Sequence, residues 1–113
     1  YVASRFQQYP SGGGFLAPHI DDGAIRASKE LKLNLHYNLL LVMTKKGRDF
    51  KTGGGFVINQ SKIINIDDFT EVGDVIIYSA KTVHGVLDID PHKFPDLNST
   101  SGRYVALTTL FKW

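Results

Sequence analysis

One histidine and one carboxylate stand two positions apart in FLAPHIDDGA, Phe15 to Ala24: His19 and Asp21, with Ile20 between them. On an extended strand, residues two apart share a face, so the imidazole and the carboxylate would project side by side. A nitrogen and an oxygen ligand together suit Fe(II), Mn(II) or Zn(II), and a third ligand is needed to hold the ion. Taken alone, the tripeptide reads more readily as a polar turn at a strand end.

The chain has four histidines. His36 begins a long apolar stretch and His92 sits in a Pro-rich segment, which leaves His84, in YSAKTVHGV, as the best third ligand. A β-barrel brings such a late strand beside an early one. His19, Asp21 and His84 together would leave open coordination positions, which implies catalysis rather than structural support. Arg103 opens the last strand-like stretch, GRYVALTTLFKW. An arginine facing an apolar interior stays charged at any accessible pH and needs an anionic partner. A bound carboxylate would supply one in bidentate form.

The elements that must position these residues are mostly β. Helical periodicity is weak, and β-branched and aromatic runs alternate with Gly, Asp and Asn at short intervals. The expected strands are Val2 to Tyr9, Phe15 to His19, Leu33 to Thr44, Gly55 to Asn59, Lys62 to Ile64, Val75 to Ser79, Thr82 to Leu87 and Arg103 to Lys112. Gly53 to Gly55 and Gly73-Asp74 read as turns feeding strands. Ala24 to Leu31 is expected to be a connecting loop with a turn of helix. Asp88 to Gly102, rich in Pro, Asp, Asn and Ser, reads as an exposed excursion. KTGGGFVI is not a phosphate-binding loop, because it lacks a lysine after the glycines and leads into a strand.

The bulk numbers narrow the function. A length of 113 residues with 42% hydrophobic content fits a single domain, residues 1–113, with one modest core. A start at Tyr1 without methionine is expected of a piece of a longer protein. The formal charge of +2 comes from scattered residues without a like-charged run, so neither nucleic acid nor a membrane is an expected partner. Zero cysteines exclude disulfides and thiolate chemistry and fit a cytoplasmic location. The longest apolar run, Leu39 to Met43, is far too short to span a bilayer.

The order YPSGGGFLAPHID, a long strand, TGGGFVI, GDVIIYSAKTVHGV and GRYVALTTLFKW resembles the core of the Fe(II)- and 2-oxoglutarate-dependent dioxygenases, close to the prolyl-hydroxylase-like branch, from about Tyr9 to Trp113. The resemblance implies a double-stranded β-helix, a jelly-roll or cupin-like barrel of two facing antiparallel sheets. It puts His19, Asp21 and His84 on the metal-ligand positions and Arg103 on the anchor for the far carboxylate of 2-oxoglutarate. It also puts Tyr9 near that co-substrate. Tyr37, Leu39 and Leu41 are expected to face into the barrel, with Tyr37 in reach of 2-oxoglutarate or substrate. Val105 stands where some relatives carry a serine, so a helping hydroxyl would come from Thr109 on the Arg103 face.

The implied activity is hydroxylation by iron, 2-oxoglutarate and O2, with ascorbate as an optional auxiliary reductant, and succinate and carbon dioxide as co-products. A carboxylate at Asp21 argues against halogenation, which uses a small residue there, and Asp22 is expected to cap the following turn. Asp22 to Lys32 and Asp88 to Gly102 are the candidate lid segments. A small-molecule substrate, such as an amino acid or a natural-product intermediate, is the first expectation. The alternatives are a peptide or protein residue and, in another class, a non-catalytic cupin-like metal- or ligand-binding module.

Overall fold

The computed structural model describes residues 2–112, apart from the side chains at 35, 36 and 112; His36, set aside above as a ligand, therefore lies outside the described side chains. The chain forms eight strands: β1 (Val2–Pro10), β2 (Gly14–His19), β3 (Asn34–Val42), β4 (Gly54–Asn59), β5 (Lys62–Asn65), β6 (Val75–Tyr78), β7 (His84–Ile89) and β8 (Gly102–Lys112). All eight fall where β-branched and aromatic runs are punctuated by Gly and Asn.

The strands pair antiparallel in two four-stranded sheets, ordered β1-β8-β3-β6 and β2-β7-β4-β5. Each sheet keeps two open edges, so the pair does not close into the expected barrel. The core lies between the sheets: Leu40, Val42, Val105 and Leu107 of one meet Val86 and Ile89 of the other, with Tyr9 and Phe50 packed among them. No helix among the described residues is long and apolar enough to cross a membrane.

Three expectations need correction. The first concerns Ala24 to Leu31, where the chain forms a nine-residue helix, α1 (Asp22–Glu30), rather than a loop. Asp22 in its first turn and Lys29 in its last oppose the helix dipole, and Asp22 pairs with Arg26 one turn on. Asp22 therefore lies inside the helix, and Asp21 takes the N-cap position without a side-chain cap bond.

The second concerns β3. Asn38, Leu40 and Val42 face the core, opposite Thr109, Leu107 and Val105 of β8, so Tyr37, Leu39 and Leu41 point away from it. Tyr37 is 46% exposed and does not line the inner cavity. The unbroken run Leu39 to Met43 shows no alternation from which facing could be read, and a register shift between Leu35 and Tyr37 sets it.

The third concerns the excursion after β7. Ile89 and Asp90 are fully buried, and the exposed part begins at Pro91. The Asp90 carboxylate accepts from the backbone N–H groups of Lys51 (2.7 Å) and Thr52 (2.9 Å) and from the Ser11 hydroxyl (2.9 Å), and it pairs with Lys93. These bonds tie the loop to the Gly14 end of β2, because Ile89 lies opposite Gly14 while His84 lies opposite His19. The segment is thus at the far end of the sandwich from the histidines and cannot be a lid over them.

Candidate metal centre

β2 and β7 run side by side, and their register sets His19 directly against His84. The imidazole centroids are 4.4 Å apart. Asp21 lies two residues beyond the end of β2, at the start of α1, so a shared strand face does not bring it to His19 as the spacing suggested. Its position is set by its backbone N–H, which donates to the Ala80 carbonyl (2.9 Å), and by its side chain.

Asp21 Oδ1 lies 3.7 Å from His19 Nε2 and 3.6 Å from His84 Nε2. Both distances are too long for a hydrogen bond. Neighbouring ligands roughly 2.1 Å from one ion stand about 3.0 to 3.4 Å apart, so the three side chains are set slightly wider than a bound ion would hold them. The ligand atoms of all three residues lie within 4.8 Å of one another.

The tautomers fit this use. His19 Nδ1 bonds the Ala17 carbonyl at 2.8 Å, and His84 Nδ1 bonds the Thr82 carbonyl at 2.8 Å. A carbonyl only accepts, so each Nδ1 carries the proton and each Nε2 presents a lone pair towards Asp21. The other Asp21 oxygen, Oδ2, accepts from Asn38 Nδ2, and Asn38 Oδ1 accepts from the Thr109 hydroxyl at 2.8 Å. Asn38 is 0% exposed. The chain Thr109–Asn38–Asp21 fixes which carboxylate oxygen turns to the histidines, as outer partners of metal ligands do. Thr109 shares the Arg103 face, as expected, but spends its hydroxyl proton on Asn38.

A cavity between the sheets takes in His19 and His84 at one end and Arg103 at the other, lined between them by Leu16, Leu40 and Phe56. Arg103 is 1% exposed and donates through Nε to Asp67 Oδ2 at 2.7 Å. Its anionic partner within the chain is therefore Asp67, a carboxylate in the 3₁₀ turn Ile66–Asp68, placed there because Asn65 caps that turn. Both terminal nitrogens of Arg103 are buried without a hydrogen-bond partner among the described residues. A planar anion accepting from that edge would satisfy both at once.

Tyr9 lies opposite Arg103 in the β1–β8 register, and its ring stacks 5.7 Å from the guanidinium carbon. Burial pushes the Tyr9 hydroxyl above its ordinary pKa, and the charges of Arg103 and Arg5 oppose that rise. Tyr78, 4.8 Å from the His84 ring, is held well above the ordinary phenol range by burial and then by the negative charge of Asp21.

Asn38, Asp67 and Tyr78 were not singled out from sequence. The one available signal was Asn38, a polar residue in the apolar run HYNLLLV. The fold and site define a two-sheet antiparallel β protein with a His-Asp-His cluster able to hold a metal. No family model matches the chain, and no curated protein or solved structure matches it.

Proposed function

We propose that the chain is an Fe(II)- and 2-oxoglutarate-dependent oxygenase of the double-stranded β-helix type. It hydroxylates an unactivated C–H bond of a small molecule, such as an amino acid or natural-product intermediate. One observation carries the reading: a single cavity is lined by both histidines of the His19–Asp21–His84 cluster and by a buried arginine with two unpartnered terminal nitrogens. The strand order β1-β8-β3-β6 over β2-β7-β4-β5, with the chain passing repeatedly between sheets, supports the fold assignment.

In this reading His19, Asp21 and His84 hold the iron, and Arg103 takes the far carboxylate of 2-oxoglutarate. Bound together, iron and 2-oxoglutarate supply oxygen activation and the oxidising equivalents for C–H cleavage. The chain itself orients and encloses. The Ala17 and Thr82 carbonyls keep the imidazoles in the ligating tautomer, Asn38 aims the carboxylate, and Leu16, Leu40 and Phe56 keep bulk water from the space between. Asp67 holds Nε, and both terminal nitrogens are left without a partner among the described residues.

A second reading, a cupin-like binding module without oxygen chemistry, is favoured by the same Asp67, which already neutralises Arg103. Anaerobic addition of Fe(II) and 2-oxoglutarate separates the two. A visible charge-transfer band is expected in the wild type and its loss in Arg103→Ala. No band in correctly folded wild-type protein overturns the oxygenase reading and leaves the binding module.

A further inference from the structure

Arg26, Arg48 and Arg103 each pair with a carboxylate, whereas Arg5 has no ion-pair or hydrogen-bond partner among the described residues. Arg5 nevertheless faces inward. In the β1–β8 register it lies opposite Leu107, and Gln7 lies opposite Val105, both core residues. Residues directly opposite in an antiparallel pair share a face, so Arg5 and Gln7 stand on the same side of β1 as Tyr9. β1 is an edge strand, and that face is open to solvent at the Arg5 end.

Arg5 borders three spaces: the inner cavity with His19, His84 and Arg103, an open groove that includes Gln7, His19, Asp21 and the first residues of α1, and a smaller one with Ala3, Ser4, Leu107 and Thr109. It therefore stands at the mouth through which a molecule would approach the histidine cluster. A guanidinium there is always charged and offers a fork of donors to a planar oxyanion, and the neighbouring Gln7 amide adds another donor on the same face. The charge of the groove limits the anion. Arg5 is the one cation among its lining residues, Asp22 is already paired with Arg26, and Asp21 repels further negative charge, so a single carboxylate suits the site better than a dianion.

We propose that Arg5, assisted by Gln7, binds a carboxylate of the substrate, which is a small monocarboxylate-bearing molecule whose body extends over His19. Calling this ligand the substrate rests on the oxygenase reading; the carboxylate site itself does not require iron.

The metal-free protein is titrated with N-acetylglycine, with its neutral carboxamide and with inorganic phosphate, and backbone amide chemical shifts are followed by NMR. N-acetylglycine is expected to shift the amides of residues 5–7 and 22–24, the carboxamide to shift none, and phosphate to bind more weakly. Arg5→Gln should weaken N-acetylglycine binding roughly tenfold or more, and Arg5→Lys should restore part of it. Equal binding by the carboxamide, preference for phosphate, an unchanged midpoint in Arg5→Gln, or no binding to the folded protein would each overturn the site. In a second arm, the 2-oxoglutarate midpoint of the anaerobic Fe(II) complex is compared in Arg5→Gln and Arg103→Gln. Loss in Arg103→Gln with Arg5→Gln within about twofold of wild type supports the assignment, since a lost charge-assisted bond should cost more than that. The reverse pattern makes Arg5 the co-substrate anchor and overturns it. Absence of the band in the wild type withdraws the oxygenase reading alone, because the NMR arm decides the carboxylate site.

Discussion

A leucine at position 38 would keep the volume of the core and remove the only side-chain donor to Asp21 Oδ2 among the described residues. The carboxylate would then be free to turn away from the histidines. Asn38→Leu is expected to lower Fe(II) or Mn(II) affinity about 10- to 100-fold, measured by anaerobic metal titration, and Thr109→Val to lower it less. Asp90 makes a contrasting case, outside the His19–Asp21–His84 cluster. Burial would raise its carboxyl, but the N–H groups of Thr52 and Lys51, the Lys93 ammonium and the Ser11 hydroxyl outweigh burial and hold it well below the usual range. A group depressed in the folded state contributes stability above its unfolded pKa of about 3.9, and that contribution is lost as pH falls towards the folded value. Asp90→Asn should therefore unfold at lower temperature near neutrality. Between about pH 4 and pH 3 its melting temperature should fall less steeply than that of the wild type.

The glycines at the start of β4 have a sharper role than easing entry into a strand. Gly53 and Gly54 have φ of +84° and +126°, a region that side chains rarely adopt. At Gly55 a Cβ would lie 2.5 Å from Arg103 Nη2, so the missing side chain is the room in which the guanidinium sits. Gly55→Ala must push a buried charged group off Asp67. A loss of about 2 kcal/mol or more in chemical denaturation is expected, together with a weakened response to 2-oxoglutarate. The strands themselves were legible because turn residues bracket each β-branched run. The cluster of His19, Asp21 and His84 was legible as a candidate ligand set from the HxD spacing and from the setting aside of His36 and His92, and the three side chains do come together. What sequence could not give was facing and partnership: β3 is apolar on both sides, and the Arg103–Asp67 pair joins residues 36 positions apart. Helix α1 was underestimated because its helix formers, Ala24 to Leu31, make no long apolar stripe.

On the scale of the whole molecule, the His19–Asp21–His84 cluster lies at one end of the sandwich. His19, His84 and the start of α1 occupy that end, whereas residues 91–101 emerge at the other, where Ser11 N–H donates to the Ser101 carbonyl and Gly12 N–H to that of Asp90. Phe94 and Leu97 in that loop are 97% and 94% exposed. Phe94→Ser with Leu97→Ser is expected to leave metal affinity unchanged and to alter stability by no more than about 0.5 kcal/mol, read by metal titration and thermal unfolding. Of the two lid candidates named from sequence, only Asp22 to Lys32 adjoins the groove.

The facing of His19 and His84 has one more consequence. They lie 65 positions apart in a chain without a single cysteine. An ion shared by them would act as a reversible cross-link between β2 and β7, closing a loop that in the unfolded chain costs about 4 kcal/mol of entropy by the reasoning applied to disulfides. Metal availability would then govern how long the fold lasts as well as what it does. Unfolding should be markedly slower in Mn(II) than in chelator, and His84→Ala should abolish the difference.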